Sequence, residues 1–235
     1  MTKTKKVNIQ ILYEDNHLIV INKACGVLVQ ADKTKDVPLS EMVKDYIKSK
    51  YNKPGAVFLG VIHRLDRPTS GAVVFAKTSK ALTRMTKLFK ERHIAKTYWA
   101  VVKHAEHLEN NPTDRLTHFL VRNPKNNTSK AYNKEMPNSK KAILDYRVIQ
   151  KLNNYLLLEI NLLTGRHHQI RTQLSKINCP IKGDLKYGFS RSNLNGGIHL
   201  HARTVSFVHP IKKEQIKITA PLPTEDNIWS FIDQN

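Results

Sequence analysis

The stretch His63-Arg64-Leu65-Asp66-Arg67-Pro68-Thr69-Ser70-Gly71 places one carboxylate between two arginines in a strongly basic chain. Residues 57–62 before it are apolar and β-branched, which predicts a buried strand, and residues 72–76 after it predict another. The last four residues of the stretch, 68–71, are typical of turns. We therefore expect Asp66 to lie on a tight connection between two core strands.

The two neighbours of this aspartate, Arg64 and Arg67, favour its ionised form because opposite charges stabilise a carboxylate. An ionised carboxylate can act as a nucleophile, as a base or as an electrostatic partner. An ion pair that merely stabilises the loop is the alternative interpretation. The stretch therefore marks Asp66 as a candidate catalytic residue.

The charge balance of the 235 residues indicates a polyanionic partner. Lys and Arg total 39 against 19 Asp and Glu, which gives a net charge of +20 and a pI near 10.0. No apolar run approaches the ~18 residues that span a membrane, and no basic amphipathic helix has an aromatic face suited to a membrane surface. Nucleic acid is therefore the expected partner. Two distant cysteines, Cys25 and Cys179, indicate a reducing compartment, and we expect the protein in the cytoplasm.

Residues 1–8 predict a basic flexible tail, and residues 9–235 predict one domain that contains both strands and helices. Asp36 is the expected N-cap of a helix over residues 39–47 with Pro38 in its first turn, and Ser79 is the expected cap of a second helix. A third helix is expected after Thr164-Gly165. Residues 198–220 are rich in β-structure, and further strands are predicted at Leu18–Ile21, Thr97–Lys103, Ala142–Gln150 and Tyr155–Leu163, the last two joined by a turn at Asn153-Asn154.

Residues 122–141 form a basic segment with six cations and one acid among Asn, Pro and Ser. The composition predicts an exposed loop or hairpin tip. Two interpretations remain open for this segment: a solvated insertion, which is common on basic proteins, or a finger that follows RNA phosphates.

A second dense polar cluster is Thr164-Gly165-Arg166-His167-His168-Gln169-Ile170-Arg171. It lies where a predicted strand ends and a predicted helix begins, and a helix N-terminus beside two arginines suits an anion. The glycine-rich motifs that bind nucleotide cofactors are absent, so we expect no cofactor. We expect no metal either, because zinc needs a tetrahedral ligand set and the arginines beside Asp66 repel a cation.

Both clusters resemble motifs of the RluA-type RNA pseudouridine synthases. Residues 63–71 match the pattern His-Arg-Leu-Asp-x-x-Thr-Ser-Gly, and residues 164–171 match Thr-Gly-Arg-x-His-Gln-Ile/Leu-Arg. Shorter matches follow the same order along the chain, and they are Lys96-x-Tyr98, Gly183-Asp184-x-x-Tyr187-Gly188 and Leu200-His201-Ala202. The resemblance covers the chain from about residue 13 to its end. One departure is Lys23-Ala24, where the family usually has Lys-Pro.

The resemblance implies a role for each of five residues. Asp66 would be the catalytic carboxylate, Arg64 would fill the space left by a flipped-out uridine, and Tyr98 would stack on its base. Ile170 would pack in the pocket, and Arg171 would pair with Asp66. The implied fold is α+β, with a mixed, mainly antiparallel sheet, flanking helices and a basic active-site cleft. Residues 9–235 would form one catalytic domain without an S4-like N-terminal domain.

The implied activity is that of an isomerase, which converts a specific uridine in ribosomal or transfer RNA to pseudouridine. Whether Asp66 would attack C1′, attack C6 or remove a sugar proton stays open. We expect a monomer with RNA as its partner. A non-catalytic RNA-binding or ribosome-assembly protein would explain the charge but not the carboxylate between arginines. A metal-dependent nuclease would need clustered acids, which the sequence lacks.

Overall fold

The computed structural model describes residues 9–32, 34–224 and 226–233. The predicted tail at 1–8 lies outside the described residues. The chain divides into two compact units, one formed by Met1–His93 with Phe207–Asn235 and the other by Ile94–Ser206.

Strands dominate the described part of the chain. The strands are β1 (Gln10–Glu14), β2 (Leu18–Lys23), β3 (Gly60–Val61), β4 (Ser70–Ala76), β5 (Ala95–Lys103), β6 (Thr113–Asn123), β7 (Thr128–Tyr132), β8 (Lys140–Lys151), β9 (Tyr155–Leu162), β10 (Leu200–Val208) and β11 (Gln215–Thr219). The helices are α1 (Leu39–Lys50), α2 (Ser79–Lys90), α3 (Glu106–Asn110), α4 (Gln169–Lys176) and α5 (Asn227–Asp233), with a 3-10 turn at Leu185–Tyr187.

In the first unit, β2 is the middle strand of an antiparallel set with β1 on one side and β4 on the other. The apolar run 18–21 is fully buried in β2, as is every residue of β4, which explains why both sequences lack polar alternation. β3 pairs with β4 but covers only Gly60–Val61, so the strand predicted over 57–62 is mostly wrong. The next residue along β4 in this register is Val74. Its amide donates to the His63 Nε2 at 3.0 Å instead of to a longer β3.

Both helices predicted in the first unit are present, but their N-termini differ from the prediction. Thr78, not Ser79, caps α2, because its extended backbone lets its hydroxyl accept from the Ala81 amide at 3.2 Å. Pro38 occupies the N-cap of α1 without a side-chain hydrogen bond. The predicted cap, Asp36, instead forms an ion pair with Arg67 at 2.7 Å.

In the second unit, the strands follow the order β10, β5, β9, β8, β6 and β7, and each neighbouring pair is antiparallel. The predicted turn at Asn153-Asn154 joins β8 to β9, where the Leu152 amide donates to the Tyr155 carbonyl at 2.9 Å. The predicted strands at 97–103, 142–150 and 155–163 are confirmed with small changes at their ends. The predicted third helix is α4, which begins at Gln169.

The basic segment 122–141 is more regular than an exposed loop. Its first half pairs the end of β6 with β7, from Asn123 opposite Thr128 to Phe119 opposite Tyr132. Its second half crosses residues 133–139 and enters β8. All six of its cations are exposed. The hairpin part of the prediction is therefore confirmed, with a hairpin anchored on one face by a small core of Leu120, Ala131 and Ala142.

Candidate active site

The loop between β3 and β4, residues 62–69, contains a partly exposed Asp66 between buried residues. Leu65 and Thr69 are buried, whereas Asp66 between them is half-buried. The Thr69 amide donates to the Asp66 carbonyl at 3.0 Å and closes a tight turn that contains Pro68. Ser70 and Gly71, which the sequence pattern places in the turn, already belong to β4. The predicted turn at Asp66 before a core strand is therefore confirmed, whereas the core strand predicted before it is reduced to Gly60–Val61.

His63 fixes the first half of this loop onto the sheet. Its Nε2 accepts the Val74 amide, so this nitrogen carries no proton in the folded protein. Its ring stacks on Phe89 of α2 with 4.7 Å between the ring centroids. The imidazole is thus a structural part of the loop, with one face against a helix and one edge on β4.

Lys23 holds the backbone of the second half of the loop. Its side chain is 1% exposed, and its ammonium donates to the carbonyls of Ala24, Val27 and Arg67 at 3.0, 2.8 and 3.1 Å. Burial lowers the pKa of Lys23 to about 7, while the nearby Asp66 charge acts in the opposite direction. The sequence marked Lys23 only as part of a departure from the family pattern, and its three carbonyl contacts identify it as a residue of the site.

The two arginines on either side of Asp66, Arg64 and Arg67, have different surroundings. The Arg67 guanidinium donates through Nε to the Gly26 carbonyl at 2.9 Å and pairs with Asp36, so its role includes tying residues 26–36 to the loop. Arg64 is exposed beside Asp66 in sequence. The sequence predicted only that Arg67, with Arg64, favours the ionised form of Asp66, and it did not predict these contacts because Asp36 lies 31 residues away in sequence.

In the second unit, the residues that join β9 to α4 form a closed hydrogen-bonded loop. The Thr164 hydroxyl donates to the Gln169 Oε1 at 2.7 Å, and the Arg166 amide donates to the same oxygen at 3.0 Å. The Gln169 amide group donates to the Ile143 carbonyl at 3.0 Å, which connects the loop to β8. The polar residues of this motif therefore build the loop, and its binding of an anion stays a prediction.

Arg171, in the first turn of α4, forms a buried ion pair. Its Nε and Nη2 donate to the two carboxylate oxygens of Asp184 at 2.7 and 2.8 Å, and the side chains are only 5% and 1% exposed. The Tyr187 ring lies 4.9 Å from the guanidinium. The Tyr187 hydroxyl accepts from the Ser129 amide and contacts the Nδ1 of His168, each at 2.8 Å. The sequence marked residues 183–188 only as a shorter family match and did not predict that Asp184 pairs with Arg171.

The remaining predicted residues of the second unit also lie in buried positions. Tyr98 is 8% exposed in the middle of β5, opposite Ile160 of β9. Ile170 is 5% exposed on α4, next to Arg171. Lys96, two residues before Tyr98 on the same strand, has its pKa lowered by burial, and its Nζ approaches Gly165. The second unit thus brings Tyr98, Ile170 and Arg171 to strands and a helix of one compact core.

The structure thus places Asp66 and Arg64 on one loop of the first unit and Tyr98, Ile170 and Arg171 in the second unit. The pairing of Arg171 with Asp66 stays a prediction. Among the described residues, no group of three or more His, Cys, Asp and Glu side chains could hold a metal ion. No helix in residues 9–32, 34–224 and 226–233 combines the length and hydropathy needed to cross a membrane.

Comparison with known proteins gives consistent matches over most of the chain. The family model described as RNA pseudouridylate synthase matches residues 17–176. Ribosomal large subunit pseudouridine synthase C of Buchnera aphidicola subsp. Baizongia pistaciae is 34% identical over 227 residues, which cover 92% of this chain and 67% of that relative. Ribosomal large subunit pseudouridine synthase D of Xylella fastidiosa is 31% identical over 240 residues, covering 93% of this chain and 67% of that relative.

A solved structure shares the fold. Human RNA Pseudouridylate Synthase Domain Containing 4 matches with a TM-score of 0.76 and 24% identity, over 95% of this chain and 92% of that chain. This likeness confirms the predicted class, a mixed and mainly antiparallel sheet with flanking helices. The chain therefore belongs to the RNA pseudouridylate synthase family, in its RluA-type branch, and is an isomerase that converts uridine to pseudouridine in RNA.

Proposed function

We propose that the chain isomerises a specific uridine of ribosomal large subunit RNA, with Asp66 as its catalytic carboxylate. The observation that carries this proposal is the Asp66 loop, in which a half-buried carboxylate stands on a backbone held by Lys23 and His63. The match of residues 63–71 to the family motif supports the catalytic role, and the names of the bacterial relatives support the ribosomal substrate.

The proposed reaction exchanges one bond to the sugar for another. The glycosidic bond between N1 and C1′ breaks, the uracil turns while it stays bound, and a bond forms between C5 and C1′. C5 loses a proton and N1 gains one, so the product is an isomer of the substrate without any redox change. A uridine in a helix must leave the stack to reach a carboxylate.

The other predicted residues have supporting roles in this proposal. Arg64 is exposed on the Asp66 loop and would occupy the space that the flipped uridine leaves. Tyr98 would stack on the base, Ile170 would pack against it, and Arg171 would pair with Asp66. We propose that the enzyme works in the cytoplasm, because the relatives named for the ribosomal large subunit are bacterial proteins.

Tritium release tests the activity. RNA that carries C5-tritiated uridine is incubated with the protein in the presence of EDTA, and both released tritium and RNA length are measured. Release without cleavage supports the synthase. Cleavage that EDTA abolishes would indicate a nuclease, and binding without either change would indicate a non-catalytic RNA-binding protein.

The choice of RNA is tested separately in cells. Pseudouridines are mapped in the ribosomal and transfer RNA of a strain that lacks the gene and of its parent. The proposal expects a pseudouridine missing from large subunit ribosomal RNA and restored by the wild-type gene. A loss confined to transfer RNA would contradict the ribosomal assignment and leave the isomerase activity intact.

A further inference from the structure

The second unit contains a cavity of about 670 Å³ that the proposed reaction does not use. It is bounded by the end of β5, the turn between β8 and β9, and the residues that follow the 3-10 turn. Lys103, Lys182 and Arg191 contribute three cations to its lining, and Tyr155 and Phe189 contribute two aromatic rings. Its lining, all of it within the described residues, includes no carboxylate.

The cavity lies at the opposite end of β5 from Gly165 of the 164–171 motif, whereas Lys182 in its lining is two residues from Asp184, the partner of Arg171. Lys96, near the start of β5, has its Nζ 3.7 Å from the position that a Cβ on Gly165 would take. Lys103 is the last residue of β5. Seven residues of extended strand separate them, which corresponds to roughly 23 Å. The cavity is therefore distant along β5 from the loop that contains Gly165.

One wall of the cavity is held rigidly by Asn193. Its Oδ1 accepts from the Lys182 Nζ at 2.8 Å, and its amide nitrogen donates to the Gly197 carbonyl at 2.9 Å and lies 2.9 Å from the His199 Nδ1. Gly183 makes this approach possible, because a Cβ at that position would lie 2.5 Å from the Asn193 nitrogen. A wall fixed in this way loses little conformational freedom when a ligand binds.

Cations and an aromatic ring of the lining lie close together. Lys103 lies directly opposite Tyr155 in the β5–β9 ladder, and the Lys182 Nζ is 5.9 Å from the centroid of the Tyr155 ring. Lys103 and Arg191 are exposed. The nearby acid Glu109 is engaged by His104 at 3.0 Å and by Lys151 at 2.6 Å.

We propose that this cavity binds a single-stranded segment of the substrate RNA. Its cations contact phosphates and its aromatic rings contact bases, which is how proteins bind single strands without reading their sequence. The proposal rests on the proposed function only in taking RNA as the substrate.

The test measures binding, with no turnover required. A fluorescein-labelled oligouridylate of about twenty nucleotides, longer than a typical single-strand site, is titrated with wild-type protein and with the double variant Lys103→Gln/Arg191→Gln at several salt concentrations. Fluorescence anisotropy is the readout. Both side chains are exposed, so the variant retains its melting temperature. We expect weaker binding at low salt and a salt slope that is smaller by about 0.7 for each phosphate that the variant no longer neutralises.

A matched double variant, Lys48→Gln/Lys53→Gln, removes two exposed lysines outside the cavity and serves as the control. A further variant, Phe189→Leu, keeps the charge and is expected to weaken binding about fivefold or more, because it removes one aromatic face on which a base can stack. Crosslinking with 4-thiouridine RNA should label Tyr155 or Phe189. Equal salt slopes for the cavity and control variants, or crosslinks that map only to other segments, would overturn the proposal. The isomerase assignment would be unaffected, since it depends on pseudouridine formation.

Discussion

Hydrogen bonds of Lys23 and His63 hold the backbone on either side of Asp66, the proposed catalytic residue. Lys23 donates to the carbonyl of Arg67, the residue directly after Asp66. His63, three residues before Asp66, accepts a hydrogen bond from an amide of β4. Neither side chain must touch a substrate to matter, because a displacement of the loop by about 1 Å is enough to slow a reaction strongly.

Asp66→Asn should abolish pseudouridine formation while RNA binding is retained. The substitution keeps the shape of the side chain and removes the charge that nucleophilic or base chemistry needs. Turnover is measured by tritium release and binding by fluorescence anisotropy, with the exposed Asp45→Asn on α1 as the control. Appreciable turnover by purified Asp66→Asn protein would refute its catalytic role.

Lys23 should make the stability of the fold increase with pH above neutrality. Its pKa is about 7 in the fold against an ordinary value of 10.5, so between these values the unfolded chain binds more protons than the folded one. The free energy of unfolding of the wild type should therefore rise relative to that of Lys23→Met, by roughly 1 kcal/mol per pH unit between about pH 7.5 and 9. Urea unfolding of both proteins across this range measures the difference. Parallel curves would show that Lys23 keeps its ordinary pKa.

Asp184→Asn should destabilise the protein strongly, because it removes the negative charge that the buried Arg171 guanidinium contacts through two hydrogen bonds. A decrease of ~3 kcal/mol or more in the free energy of unfolding is expected. Asp145→Asn is a matched control, because Asp145 forms a similar two-bond pair with Arg115 at 2.6 and 2.9 Å, but that arginine side chain is 61% exposed. The control should be destabilised by about 1 kcal/mol or less.

Arg171→Ala removes the same buried pair and is expected to reduce both activity and melting temperature. Thermal unfolding and tritium release are measured on the same preparation, at a temperature where the variant is folded. A variant with the wild-type rate would show that Arg171 does not pair with Asp66 in the working enzyme.

At the scale of elements, the basic segment 122–141, which includes the β6–β7 turn and the start of β8, has all six of its cations exposed. Neutralising Lys130, Lys134, Lys140 and Lys141 together should weaken RNA binding at low salt. It should also lower the salt slope by about 0.7–0.9 for each phosphate that the segment neutralises in the wild type. If affinity and slope both stay at wild-type values, the segment 122–141 is a solvated insertion, and the RNA track should be sought around Lys77–Arg92.

The elements that the sequence predicted well are those whose burial is uniform. β2 and β4 are buried over nearly their whole length, so their apolar runs were sufficient. β3 could not be bounded from sequence, because the His63 side chain takes a ladder position that only the folded chain reveals. The short α3 has one buried residue, Leu108, and therefore no readable apolar period.

At the scale of the whole molecule, the site could be predicted only as far as its motifs are continuous in sequence. The stretches 63–71 and 164–171 each mark their own loop, and the family likeness assigned roles to their residues. Partners that come from elsewhere along the chain were missed. Lys23 reaches a carbonyl 44 residues away, and Arg171 pairs with an acid 13 residues away. Such contacts depend on topology, which local patterns do not encode.

Gly183 limits which substitutions this sequence can accept. Its φ of +87° disfavours any side chain, and a Cβ there would also lie 2.9 Å from the Gly197 carbonyl oxygen. Gly26 has a similar φ of +80°, but a Cβ at that position would meet no atom within 4 Å, so only backbone strain opposes a side chain there, and asparagine tolerates that strain better than most residues. In a library of random variants selected for folded protein, position 183 should retain glycine alone, whereas position 26 should also accept asparagine.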